Sequence, residues 1–130
     1  MQKFKYNTEF ELRASPKMLF TYISTASGLS QWFAQKVNIK PEQKFDFFWD
    51  GENHPAKQTV FKLNKSVRFE FTDTSPDNTD NSYVELKIEV SDLTSTTFLY
   101  VTDYSTNTDP EELEGLWEGF MDRLKEIIGS

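Results

Sequence analysis

Few residues of this chain are suited to catalysis. His54 is the sole histidine, and it lies in the segment Glu52-Asn53-His54-Pro55, which has the composition of a loop. A general base needs a partner that orients it, and a histidine beside a proline in a turn has no evident one. The chain also contains no cysteine, which removes thiolate nucleophiles, disulfides and cysteine-ligated metals. We interpret His54 as a solvated loop side chain.

One acidic segment has a spacing similar to that of a calcium loop, namely Asp73-x-Ser75-x-Asp77-x-Thr79. The pattern fails in two places, because Asn78 stands where the turn requires glycine and Val84 where a bidentate glutamate is needed. The five glycines are scattered, so no phosphate-binding loop is predicted either. The sequence therefore predicts no metal site and no cofactor, and residues 73–82 are predicted to form an exposed polar loop.

Asp103 is the carboxylate whose environment matters most, and it belongs to a strand predicted at 96–104. The strand has two possible registers, with inner residues Phe98, Tyr100 and Thr102 in one, or Leu99, Val101 and Asp103 in the other. A slip of one residue exchanges the two faces, and the sequence leaves both registers open. A buried Asp103 is expected to have a raised pKa, whereas an outward Asp103 is expected to be solvated.

Composition limits the class of protein. Fourteen basic against twenty-one acidic residues give a net charge of −7, which disfavours nucleic acid and anionic membranes as partners. The first five residues lack the apolar stretch of a signal peptide, and no apolar run is long enough to cross a membrane. With 130 residues, the sequence predicts one domain, 1–130, located in the cytoplasm.

Aromatic residues make up 15% of the chain, with twelve Phe, five Tyr and three Trp. Such an excess of large rings is expected either in a core built around wide spaces or in an aromatic-rich packed core. Both interpretations stay open at the level of sequence.

Alternation of apolar and polar residues predicts strands at 3–13, 44–50, 55–63, 67–71, 84–90 and 96–104. In the first of these, Phe4, Tyr6 and Thr8 share one face, while the lysines and glutamates share the other. Clean alternation of this kind is typical of an antiparallel sheet with one covered face and one solvated face.

Capping signals define the helices. Ser15 followed by Pro16 predicts the start of a first helix, and a second short helix is predicted to end at Trp32-Phe33. Asp109-Pro110 opens a long last helix over about 110–128, with an apolar stripe at helical spacing. Gly115 and Gly119 lie inside that helix, where each costs about 1 kcal/mol relative to alanine. A close approach, room for a ligand or a helix bend would explain them.

The order of these elements resembles the START-like superfamily, also called Bet v 1-like or helix-grip. The resemblance is carried by the strand before Ser15-Pro16, the Gly28-Leu29-x-x-Trp32-Phe33 helix end, the antiparallel strands and the long last helix. Within the superfamily, the chain is most similar to the bacterial branch related to the activator of the Hsp90 ATPase. The resemblance implies an α+β helix-grip fold: two short helices after the first strand, and a curved antiparallel sheet wrapped around the C-terminal helix and enclosing a cavity.

The resemblance also implies which side chains line that cavity: Trp32, Phe33, Phe47, Trp49, Phe69, Phe71, Trp117, Phe120 and Met121. Tyr100 or Asp103 would add a polar group, depending on the register of the last strand. Each of the apolar residues has an equally simple interpretation as ordinary core.

Three functions are compatible with the resemblance. The first is non-catalytic binding of a small hydrophobic or amphipathic molecule, lipid-like or aromatic. The second is a protein-interaction module with a chaperone partner, in the manner of the Hsp90 activator. The third is an enzyme of the polyketide-cyclase type, for which Asp103 is the sole candidate group. The chain is expected to be a monomer or a weak homodimer.

Overall fold

The computed structural model describes residues 2–75, 77 and 79–129. Its elements are β1 (Phe4–Leu12), α1 (Pro16–Ser24), α2 (Ala26–Trp32), β2 (Lys36–Lys40), β3 (Lys44–Trp49), β4 (Glu52–Lys62), β5 (Ser66–Phe71), β6 (Tyr83–Val90), β7 (Thr97–Ser105) and α3 (Pro110–Ile128). The strands form one antiparallel sheet in the order β1-β7-β6-β5-β4-β3-β2. This confirms the predicted α+β helix-grip fold. Asn78, part of the calcium-loop comparison, lies outside the described residues.

The helix ends follow the predicted capping signals. The hydroxyl oxygen of Ser15 accepts a hydrogen bond from the Met18 N–H at 3.1 Å. The Asp109 carboxylate accepts bonds from two backbone N–H groups of the first turn of α3. At the other end, Gly129 takes a left-handed conformation with φ of 80°, which glycine adopts without steric cost. The local signals therefore fix both ends of the helix that packs against the sheet.

The register of β7 is settled by its neighbours. Leu99 and Val101 are buried, and they lie opposite Ile88 and Leu86 of β6, which are also buried. Asp103 shares their face, because side chains two residues apart point to the same side of a strand. The alternative register, with Tyr100 inward, is wrong: Tyr100 lies on the outer face and is 37% exposed.

The β3–β4 hairpin is tighter than its sequence suggested. Asp50 and Gly51 have φ values of 53° and 77°, which makes a two-residue turn with both central residues in the left-handed region. As a result β4 begins at Glu52, and the interpretation of His54 as a loop residue is wrong. His54 pairs with Phe47 of β3, which places both on the inner face of the sheet.

The helices cover the inner face of the sheet. Along α3 one stripe is buried, formed by Leu113, Trp117, Phe120, Met121, Leu124 and Ile128. Gly115 and Gly119 lie off this stripe, and a Cβ added at either would meet no atom within 4 Å, so a close approach does not explain them. The close approach occurs instead at Gly28, where an added Cβ would lie 2.7 Å from the Tyr22 Cα.

Candidate ligand-binding cavity

A cavity of about 750 Å³ lies at one end of the sheet, beneath the first half of α3. At this end β3, β5 and β7 finish and β4 and β6 begin, so the inner side chains of five strands converge there. Because the sheet is antiparallel, the last residues of one strand lie beside the first residues of the next. The lining of the cavity combines aromatic rings with carboxylate, hydroxyl and imidazole groups.

The apolar part of the lining is an aromatic cluster centred on Phe33. The ring of Phe33 packs edge-on against Trp49, with 5.2 Å between centroids, and nearly parallel to Trp117 at 5.8 Å. Phe120 lies 5.2 Å from Trp117, and Phe71 lies 6.2 Å from Trp49. Interlocked rings in these geometries hold one another in place, so the wall is largely preformed.

Two of the three tryptophans are also fixed by hydrogen bonds from their indole N–H groups. Trp49 donates to the carbonyl oxygen of Phe33 at 2.8 Å, which ties β3 to the end of α2. Trp117 donates to Oδ2 of Asp103 at 2.8 Å, which ties α3 to β7. Each bond leaves the indole ring facing the cavity with its polar edge already satisfied.

Asp103 is the buried carboxyl among the described residues that line the cavity, with 8% of its surface exposed. Burial raises the pKa of this carboxyl above its ordinary value, because the ionised form loses contact with water. Hydrogen bonds from the side chains of Trp117 and Ser105 oppose this shift, but they do not cancel it. Folding therefore disfavours the ionised form of this carboxyl relative to its neutral form.

The mouth of the cavity is polar. His54 lies in β4 with its ring 5.3 Å from that of Trp49, and its Nε2 is 3.9 Å from Oε2 of Glu52. Glu52, Asp73 and Ser105 also line the space. The sequence interpretation missed all four as lining residues. For Glu52 and His54 the available signal was the Asp50-Gly51 pair, a strong hairpin marker that brings the start of β4 into the sheet.

Among the described residues, no group of three histidines, cysteines or carboxylates is placed to hold a metal ion. In the same part of the chain, no helix combines the length and apolar character that crossing a bilayer requires.

A family model described as a START-like superfamily domain matches residues 1–130. The chain belongs to the START-like superfamily. Members of this superfamily bind hydrophobic ligands, and the superfamily is largely non-catalytic. None of the curated proteins matches the sequence significantly.

Solved structures with the same fold include relatives of several kinds. The Aha1 dimer from Colwellia psychrerythraea matches with a TM-score of 0.74 at 19% identity, covering 95% of this chain and 94% of that one. BfR322 from Bacteroides fragilis matches with a TM-score of 0.63 at 27% identity, covering 98% and 93%. DynU16, from the dynemicin biosynthetic locus, matches with a TM-score of 0.75 at 14% identity, and the match covers 97% of this chain but 47% of DynU16.

The cavity beneath α3 is lined by six of the eleven side chains named from the sequence: Phe33, Trp49, Phe71, Asp103, Trp117 and Phe120. Four others, Trp32, Phe47, Phe69 and Met121, are fully buried in the packed core and do not reach it. Tyr100 lies on the outer face. The difference is one of position along the strands, because Phe47 and Phe69 each lie two residues before a lining residue, nearer the middle of the sheet.

Asp103 makes the stability of this START-like domain depend on pH. The folded pKa lies above the ordinary value of 3.8, so the folded protein binds more protons than the unfolded chain between the two values. Stability therefore falls as pH rises through this window, and the loss persists above it. Asp103→Asn keeps an acceptor for the Trp117 N–H but cannot ionise. We expect this variant to unfold at higher denaturant concentration than the wild type at pH 7.

The gain from Asp103→Asn should shrink as the pH is lowered, and it should vanish well below pH 3.8, where the wild-type carboxyl is neutral in both states. Asp122→Asn is the matched control, because Asp122 is exposed on α3 and its replacement changes the net charge equally. A gain that is the same at every pH, or the same in both variants, would contradict the assignment to Asp103.

Proposed function

We propose that this protein reversibly binds a small hydrophobic or amphipathic molecule in the cavity between the sheet and α3, and releases it unchanged. The observation that carries the proposal is the aromatic cavity of about 750 Å³ at the open end of the sheet. Cavities that bind small molecules commonly measure between about 300 and 1,000 Å³ and have mostly apolar walls with a few polar groups. The superfamily's use of this fold for hydrophobic ligands supports the same conclusion.

Affinity would come from removing apolar ligand surface from water, at about 25 cal/mol per Å² before the costs of association. The rings of Phe33, Trp49 and Trp117 already hold one another in place, so little ordering of the wall is needed on binding. Asp103 and the hydroxyl of Ser105 supply the few polar contacts that orient a ligand.

Titration of the ¹⁵N-labelled protein with lipids, flavonoids and small aromatics tests the proposal through its three indole N–H signals. Trp49 and Trp117 line the cavity, whereas Trp32 is buried and donates to the carbonyl oxygen of Tyr22 at 2.9 Å. A ligand in the cavity should shift the first two signals and leave that of Trp32 nearly unchanged. Shifts confined to the outer strand face, or the absence of shifts with every compound, would contradict the proposed function.

A blocked variant provides the matched control. Ser105 ends β7 with its side chain in the cavity, and Ser105→Phe would fill part of that space. Thr102→Phe adds a ring of the same size on the outer face of the same strand, where Thr102 contacts Asn7. We expect Ser105→Phe to abolish the ligand-induced shifts and Thr102→Phe to retain them.

A catalytic role is the second candidate, and a specific observation favours it. Asp103 takes the inward register, which places an ionisable group in the cavity as in enzymes of the polyketide-cyclase type, and His54 lines the same cavity. A carboxyl whose pKa is raised by burial holds its proton to higher pH than an exposed one, which suits it to donate a proton. The two roles differ in the fate of the ligand. Mass spectrometry of a bound compound recovered after incubation would show an altered mass only if the protein transforms it.

The cytoplasmic location, the chaperone partner and the monomer or weak homodimer remain predictions. The Aha1 structure from Colwellia psychrerythraea is a dimer, and its identity to this chain is 19%, which relates the folds alone. Light scattering across a concentration series measures the oligomeric state of this chain directly.

A further inference from the structure

The described residues around the cavity include several carboxylates and, apart from the His54 imidazole, no basic side chain. Among the described residues that line it, four are acidic, namely Asp50, Glu52, Asp73 and Asp103, and none is lysine or arginine. Three of these carboxylates lie at the mouth, and Asp103 lies inside beneath Trp117. A ligand entering the cavity therefore passes an acidic rim before it reaches a buried carboxyl.

The aromatic wall, like the acidic rim, favours a ligand with a positive charge. The faces of aromatic rings carry negative electrostatic potential, so they attract cations as well as apolar groups, and the attraction is stronger away from water. Trp117 combines both features, since its ring lines the cavity and its N–H is bonded to Asp103. An ammonium group near this pair would meet a carboxylate and aromatic rings together.

The buried state of Asp103 strengthens the argument. Its carboxyl has lost most of its water, and the described donors to it are side chains without charge. An organic cation would restore a favourable partner for the ionised form, whereas a carboxylate or phosphate ligand would add a second negative charge at short range. The net charge of −7 acts in the same direction on approach.

Resting on the proposed function, we infer that the ligand of this cavity is a hydrophobic amine: an aromatic or alkyl body that carries an ammonium group and sits against Asp103 and the Trp117 ring. The same charges disfavour fatty acids and other anionic amphiphiles.

Three probes that share one apolar body test this inference: 2-(1-naphthyl)ethylamine, 2-(1-naphthyl)ethanol and 1-naphthylacetate, titrated at pH 7 and 150 mM salt. The amine is expected to bind about tenfold more tightly than the alcohol, since a desolvated cation gains both the carboxylate and the ring faces. The acetate is expected to bind most weakly. In each case the indole signals of Trp49 and Trp117 report whether the probe lies in the cavity.

The variant Asp103→Asn distinguishes the contribution of the cavity carboxyl to binding from that of the protein's net charge. It should remove most of the amine's preference over the alcohol and leave the alcohol's affinity unchanged. Asp122→Asn removes the same charge from the exposed side of α3, and it should keep the tenfold preference. Glu52→Gln changes a carboxylate at the mouth and leaves Asp103, with its effect on folding, in place. It is expected to reduce the preference for the amine over the alcohol by less than Asp103→Asn does.

The outcomes distinguish this inference from the function on which it rests. Equal binding of all three probes in the cavity, or a preference for the amine that Asp103→Asn leaves undiminished, would overturn the inference and leave the binding function standing. Failure of every probe to bind would overturn both. Tighter binding of the acetate would reverse the assigned ligand charge.

Discussion

Replacing Trp117 with alanine is expected to lower the free energy of unfolding by about 3–5 kcal/mol, the usual range for a tryptophan removed from a core. Trp117 is 1% exposed, and it is held between Phe33 and Phe120 with centroid distances of 5.8 and 5.2 Å. Its removal also leaves the Asp103 carboxyl without its indole donor. Because small domains are stable by about 5–15 kcal/mol, such a loss is a large fraction of the total. Denaturation in urea measures it.

Trp117→Phe separates the ring from its hydrogen bond. The phenyl ring retains most of the packing, while Asp103 loses the N–H donor, so a smaller loss of about 1–3 kcal/mol is expected. Adding Asp103→Asn to Trp117→Phe should recover part of this loss, because a neutral amide is less costly to bury than an unpaired carboxylate. Purely additive effects of the two substitutions would contradict the coupling of α3 to β7 through this bond.

Gly28→Ala is expected to destabilise the protein by about 1–3 kcal/mol, as overpacking of a tight contact does. The added Cβ would clash with the carbonyl oxygen of Thr21 and would lie 2.7 Å from the Tyr22 Cα. Both are backbone atoms of α1, so relief requires the two helices to separate. The movement would also strain the bond from the Trp32 indole to the Tyr22 carbonyl, which holds the same pair of helices together.

Gly119→Ala is the matched control for this substitution. Gly119 is also inside a helix, but nothing lies within 4 Å of an added Cβ. Alanine there should raise the free energy of unfolding by up to about 1 kcal/mol, the usual difference in helix propensity. Thermal unfolding of both variants should therefore give shifts of opposite sign. A Gly28→Ala protein as stable as the wild type would show that α1 and α2 do not approach as closely as described.

Much of the fold could be predicted from the sequence because its signals are local. Ser15-Pro16 and Asp109-Pro110 begin helices through bonds to residues within one turn, so no distant contact is needed to interpret them. The alternation in β1 and β6 likewise indicates which face is covered before any partner strand is known.

The register of β7 was left open because both of its faces carry large apolar or aromatic residues. The decision comes from β6, whose inner residues Leu86 and Ile88 lie opposite Val101 and Leu99. The pairing between strands belongs to the tertiary structure, so it cannot be predicted from the alternation within one strand.

The boundary between core and cavity could not be predicted from the sequence either. Phe47 and Trp49 share a face of β3 and are both aromatic, yet Phe47 is fully buried and Trp49 lines the cavity. The difference arises because the sheet ends just after Trp49, where the Asp50-Gly51 turn leaves space beneath α3. A periodic pattern specifies which face a residue occupies, but it does not specify how far the opposite layer extends.

The central claim, that a ligand occupies the space between the sheet and α3, is tested most directly by intermolecular nuclear Overhauser effects in a complex of labelled protein with a bound ligand. The ligand's protons should show contacts to the rings of Phe33 and Trp117, which line the cavity, and none to Trp32, which is sealed in the core. Contacts confined to outer-face residues such as Tyr100 would contradict the account.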